Sequence, residues 1–140
     1  MASSDSVLDR RRAGVLLHLT SLPGGLHHGD LGEDATRFVD FLVSSGVTVW
    51  QTLPVNPTHT DGSPYQCLSA HAGNPLLISL EALVNQGWLS MDRLVPDPMQ
   101  VPIAQRRACL QEAFRGFERS GGLDQPAFKA FVEKEAAWLK

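Results

Sequence analysis

The chain has 140 residues, the size of one ordinary domain, with 43% hydrophobic and 19% charged residues and a net charge of -3 at pH 7. That composition fits a folded globular protein rather than a disordered tail, and the short basic run Arg10, Arg11 and Arg12 does not make a nucleic-acid footprint. No apolar stretch reaches the roughly 20 residues of a membrane span, the opening MASSDSVLDRRR lacks a secretory core, and Cys67 and Cys109 form no CxxC pair, so a reducing cytoplasm is the expected setting.

Residues 1–12 read as a polar lead-in. Ala13 to Leu19 (AGVLLHL) is apolar without alternation, the pattern of a strand buried on both faces. TSLPGGLHHGDLG follows, and its five glycines and prolines mark a loop. Ala35, Phe38, Val39 and Leu42 then recur at helical spacing. Glu33 and Asp34 suit the first turn of that helix, and Gly46 the left-handed cap after it. VTVWQTL reads as a second strand. Strand, helix and strand over 13–53 make a βαβ unit, so the fold class is α/β with a parallel sheet.

Residues 54–78 are dense in Pro, Gly, Ser, Thr and Asn, a length of loop that is often functional. Three helices are expected beyond it. Ser79 caps a short one running to Gly87. A second covers 103–119 with Ile103, Arg107, Leu110, Phe114 and Phe117 on one side. A third starts near Gln125 and carries Phe128, Phe131, Val132, Trp138 and Leu139. Its stripe runs to Leu139 with no stop signal before Lys140, so 79–140 reads as the truncated start of a helical insertion.

In parallel α/β folds, ligands bind beyond the carboxyl ends of the strands. Those ends present His18, Thr20 and Ser21 on one side and the loop with DGSPYQ on the other. Pro64 stiffens that loop. Tyr65, the sole tyrosine, joins an apolar ring to a hydroxyl, a combination suited to a sugar with its C–H faces and hydroxyl rim. The alternative is that Tyr65 only packs the loop. His18, His27, His28, His59 and His71 show no HExxH spacing, so no metal is expected. Ser63 precedes proline rather than sitting in GxSxG, which argues against a serine hydrolase. Neither GxGxxG nor GxxxxGK[ST] is present to hold a phosphate. Asp30 and Asp61 lie in loops near the strand ends, but nothing marks them as an acid and nucleophile pair.

Taken in order, GVLLHLTSLPGG, GDLG, FVDFLVSSGVTVWQTLPVNPT, SPYQ and SAHAGNPLLISLEAL resemble the opening of the 4-α-glucanotransferases (amylomaltases, disproportionating enzymes), closely over 12–90 and more loosely to AAWLK. The resemblance implies the N-terminal part of a (β/α)8 TIM-type barrel with an inserted helical subdomain. On that reading 13–53 is its first β-α-β unit, 54–78 an active-site loop and 79–140 the start of the insertion. It also implies a retaining transfer of α-1,4-glucan segments (maltooligosaccharides, starch or glycogen fragments), without cofactor, nucleic acid or membrane. The catalytic aspartate and glutamate would lie beyond residue 140, leaving no catalytic residue in this chain. Tyr65 matches the family's cleft tyrosine, Ser63 and Gln66 flank it as polar contacts, and His18 completes the expected substrate-binding set.

Some positions depart from the family. Leu19 stands where proline is usual, His27-His28 where a small glycine-containing turn is usual, and His71 where phenylalanine is. His59-Thr60 replaces a glycine and aromatic pair associated with a secondary glucan site. Competing readings are a non-catalytic glucan-binding or inactive fragment and an unrelated α/β domain.

Overall fold

A computed structural model describes residues 11–59 and 63–139; the lead-in up to residue 10, and Thr60, Asp61 and Gly62, lie outside the described residues. β1 (Gly14–Leu16) and β2 (Val49–Gln51) pair in parallel, with Gly14 opposite Val49 and Leu16 opposite Gln51. The expected strands are therefore present but shorter. After His18 the chain turns into a 3-10 segment at Leu19–Ser21, and Pro54 has no amide to continue β2. The expectation that the first strand is buried on both faces does not hold: Gly14 and Leu16 are exposed. The described sheet contains only these two strands, so each keeps an open edge.

α1 (Glu33–Ser44) connects them, with Glu33 and Asp34 in its first turn. Ala35 and Leu42 are buried, and Phe38 meets Trp50 edge-on at 5.0 Å. Val39, placed on the same face by its spacing, is 42% exposed. Gly46 ends the helix at φ 71°. Its amide donates to Val43 O at 3.1 Å, and that of Val47 donates to Leu42 O at 2.9 Å. These two bonds satisfy carbonyls the helix itself cannot, and the left-handed angle they need favours glycine.

The loop at 54–78 is held by its own bonds. Thr58 and Cys67 form an antiparallel bridge, Leu68 N donates to Pro57 O at 2.7 Å, and Asn74 N donates to Val55 O at 2.8 Å. The Asn56 amide reaches Ala72 O at 3.0 Å. Asn74 then caps the 3-10 turn Pro75–Leu77. α2 (Leu80–Asn85) begins at Ser79, whose hydroxyl accepts from Ala82 N at 3.2 Å.

α3 (Pro102–Arg119) and α4 (Pro126–Lys134) complete the helices. The buried face of α3 is Gln105, Arg106, Cys109, Ala113 and Gly116. Ile103, Arg107 and Phe114 of the expected stripe are exposed, so the face is rotated from the sequence reading. Proximity decides this: a Cβ on Gly116 would lie 2.3 Å from Trp88 O, so only small residues admit the neighbouring backbone. α4 stops at Lys134, short of the expected chain end, and buries no residue; Phe131 and Val132 are 49% and 41% exposed. It is linked inward through Phe128, which meets Phe117 at 5.3 Å, and Phe117 meets Trp88 at 5.0 Å.

Two apolar clusters result. Leu19, Leu22, Ala35 and Leu77 lie under the strand ends. Leu26, Leu80, Leu89, Cys109 and Ala113 lie among the helices.

Candidate functional site

Because β1 and β2 are parallel, their carboxyl ends open on the same side. A cleft of about 350 Å³ lies there. His18, Thr20 and Ser21 line it after β1, and Leu53, Pro54 and Asn56 after β2. Pro64 of the SPYQ segment, His28, and the 74–77 turn close the other sides. Among the described residues that line it, the polar groups are hydroxyls, amides and imidazoles.

Burial lowers the pKa of His18 from its ordinary value of 6.5, which favours the neutral ring. Its Nδ1 is buried with no hydrogen-bond partner among the described residues. A neutral imidazole carries one donor and one acceptor, which suits a hydroxyl on a ligand. In His28 the ring Nδ1 lies 2.8 Å from Gly29 O. A carbonyl only accepts, so Nδ1 carries the hydrogen.

Behind the cleft sits a buried ion pair. Arg106 of α3 is fully buried and Asp30 is 4% exposed, with Arg106 Nη2 2.5 Å from Asp30 Oδ2. Arg106 also donates from Nε to Leu76 O at 2.7 Å, from Nη1 to Leu26 O at 3.1 Å and from Nη2 to Ile78 O at 2.7 Å. Burial raises the Asp30 carboxyl above its usual range, against the pull of Arg106. Next to it, Gln105 accepts from His27 Nε2 at 2.8 Å and from Asp97 N at 3.0 Å, and donates to Val95 O at 2.8 Å. His27 needs that anchor, since it holds φ 77°, a left-handed angle strained for any residue with a Cβ.

The cleft thus brings His18 together with Pro64, but not with the whole expected set. Tyr65 is 76% exposed and Gln66 is exposed, both on the turn just past Pro64 and outside the cleft lining. Ser63 is half-buried and accepts from Gln66 N at 3.3 Å through its carbonyl. Asp30, weighed as a loop carboxylate, is instead the partner of Arg106. Asp61 and Thr60 lie outside the described residues, while His59 is exposed. His71 stacks on Trp138 at 6.3 Å. His28 entered the sequence reading only as a candidate metal ligand and a departure from the family, and Asn56 and Asn74 did not enter it as site residues. The signals available were Asn56 and Asn74 each preceding a proline, where an amide side chain often organises a turn.

Among the described residues no group of three or more His, Cys, Asp and Glu could hold a metal ion. No helix among the described residues is long and apolar enough to cross a membrane.

The 4-alpha-glucanotransferase profile, glycoside hydrolase family 77, matches residues 17–140. The 4-alpha-glucanotransferase of Thermus thermophilus is 42% identical over 139 residues, covering 93% of this chain and 27% of the relative. The chloroplastic/amyloplastic 4-alpha-glucanotransferase of Arabidopsis thaliana is 56% identical over 90 residues, covering 64% of this chain and 16% of its own length. Among solved structures, the amylomaltase from Streptococcus agalactiae in complex with acarbose superimposes with a TM-score of 0.76 at 35% identity. That superposition covers 91% of this chain and 27% of the other. The chain therefore spans about a quarter of the length of the bacterial relatives it matches.

Proposed function

Because the chain belongs to the 4-alpha-glucanotransferase family, we propose that it supplies one wall of the substrate cleft of an enzyme that moves a segment of a 1,4-α-glucan onto the 4-hydroxyl of an acceptor glucan or glucose. Residues 13–53 are then the first strand, helix and second strand of a (β/α)8 barrel. The loop at 54–78 borders the active site, and 79–140 begin a helical insertion. Parallel β1 and β2 joined through α1 support the barrel reading.

By family resemblance, the reaction is a retaining double displacement. An aspartate attacks the anomeric carbon while a glutamic acid protonates the departing glycosidic oxygen. The resulting glutamate takes the proton of an incoming 4-hydroxyl, whose oxygen displaces the aspartate and restores the glycosidic bond. The described lining of the cleft offers hydroxyls, amides and imidazoles, which supports a binding role for this segment. Neutral His18 offers a donor and an acceptor to a sugar hydroxyl. Exposed Tyr65 offers a ring face to the C–H side of a glucosyl unit, with Ser63 and Gln66 as polar flanks. The streptococcal relative's acarbose complex supports a ligand of the glucan type.

One observation carries the reading: a single cleft joins both strand ends to Pro64 of the SPYQ segment. Given maltotriose, the full-length polypeptide that carries this segment releases glucose and builds longer maltooligosaccharides, whereas residues 1–140 alone release none. No transfer by the full-length polypeptide overturns the reading. There, Tyr65→Ala lowers kcat/KM by about 1–3 kcal/mol of transition-state stabilisation, by analogy with bases stacked on aromatic side chains. An unchanged value removes Tyr65 from the site.

A further inference from the structure

We infer that Arg106 is a positioning residue for substrate binding: without touching the ligand, it fixes the relative placement of the walls of the cleft. The inference rests on the functional reading above. Arg106 lies on α3, yet its four bonds reach three backbone carbonyls and one carboxylate, in two separate stretches of chain that each carry cleft residues. The Nε and Nη2 bonds to Leu76 O and Ile78 O bracket Leu77. Leu77 is 2% exposed and packs with Leu19 and Leu22, directly after His18, while Leu76 and Leu77 themselves line the cleft. The Nη1 bond to Leu26 O and the ion pair with Asp30 grip the two ends of the 26–30 turn, which carries the cleft residue His28.

Leu31 N donates to Leu77 O at 2.9 Å, tying that turn to the 74–78 segment as well. One guanidinium therefore sets the distance between the His28 wall and the 74–77 wall, with the His18 wall following through Leu77. The planar fork of arginine is what allows this, because its donors diverge at fixed angles. A lysine keeps the charge and reaches Asp30, but cannot hold four acceptors with three donors. Small displacements of binding groups weaken a site strongly.

The test uses the full-length polypeptide, with Arg106→Lys and Asp30→Asn assayed on maltotriose well below their melting temperatures. KM is expected to rise roughly tenfold in Arg106→Lys with kcat within about twofold, since the reacting carboxylates are held elsewhere. Maltotriose affinity measured by calorimetry should fall in the same proportion. Asp30→Asn frees only the 26–30 turn, so its KM should rise less, and this variant decides the matter if Arg106→Lys does not fold. A fall in thermal stability with KM and affinity unmoved in the folded variant assigns Arg106 to scaffolding alone and overturns the inference. A wild-type polypeptide without transfer activity overturns the functional reading instead, and this inference with it.

Discussion

His18 enters the cleft from the end of β1 with its ring partly withdrawn from water, and burial lowers its pKa from the ordinary value of 6.5. In the unfolded chain the same imidazole protonates as the pH falls through that ordinary value. Between the ordinary and the lowered midpoint the unfolded state binds more protons, so stability rises with pH there and is lost on acidification. Cleft chemistry follows the same titration. A protonated ring has two donors and no acceptor, so a hydroxyl that donated to the neutral ring loses its partner. NMR titration of the labelled ring in the full-length polypeptide should give a midpoint below 6.5, with KM for maltotriose rising as the pH drops through it. His18→Gln, which cannot protonate, should remove that segment of the KM profile. A midpoint at or above 6.5 would show that the ring is solvated rather than buried, and the assignment of His18 as a neutral contact would fail.

At the scale of elements, α3 shows how a local pattern can mislead. Ile103, Leu110, Phe114 and Phe117 share a helical spacing and read as a core stripe, yet the face turned inward carries Gln105, Arg106, Cys109, Ala113 and Gly116, and towards the end of the helix it is built of small residues. A stripe of large residues predicts burial only where a neighbour leaves room for it, and here the Trp88 backbone comes too close. Gly116→Ala is the discriminating change. Within a helix, alanine is favoured over glycine by about 0.5–1 kcal/mol. Against that, the new methyl would lie 2.3 Å from Trp88 O and 2.8 Å from its Cα, and overpacking of this kind costs about 1–3 kcal/mol or more. The second effect is the larger, so the variant should lose about 1–2 kcal/mol by denaturant unfolding. Gln111→Ala, on the exposed side of the same helix, should be near neutral. A stabilised Gly116→Ala would mean that the contact between α3 and Trp88 is loose. Elements defined by neighbouring residues were legible in the sequence: the order β1, α1, β2, the Gly46 cap, the Ser79 cap, and His18 at a strand end. What sequence could not show was Arg106 with Asp30, because a pairing across 76 positions leaves no local period. Nor could spacing alone show that Tyr65 would stand outside the cleft lining while Pro64 stood in it.

For the molecule as a whole, the accessible surface of 9925 Å² compares with about 7,100 Å² for a compact monomer of this mass. Large apolar side chains are among those left open: Leu16 is 61% exposed, Phe41 60% and Val43 71%. These side chains belong to β1 and α1, the elements whose sheet has an open edge on each side. Open edges and uncovered apolar faces invite association with other chains. Relatives about four times longer have the additional chain that could supply neighbouring strands and helices. The two circumstances separate by hydrogen exchange. Residues 1–140 produced alone should exchange the amides of Val15 and Trp50 rapidly and self-associate as concentration rises. In the full-length polypeptide the same amides should exchange orders of magnitude more slowly, near the global limit set by unfolding. The buried helical cluster around Leu80 and Cys109 is covered within the segment itself, so its amides should differ less between the two samples. If Val15 and Trp50 are equally protected in both, the strands complete their burial inside the 140 residues. The exposed faces of β1 and α1 would then need another explanation than contact with the rest of a barrel.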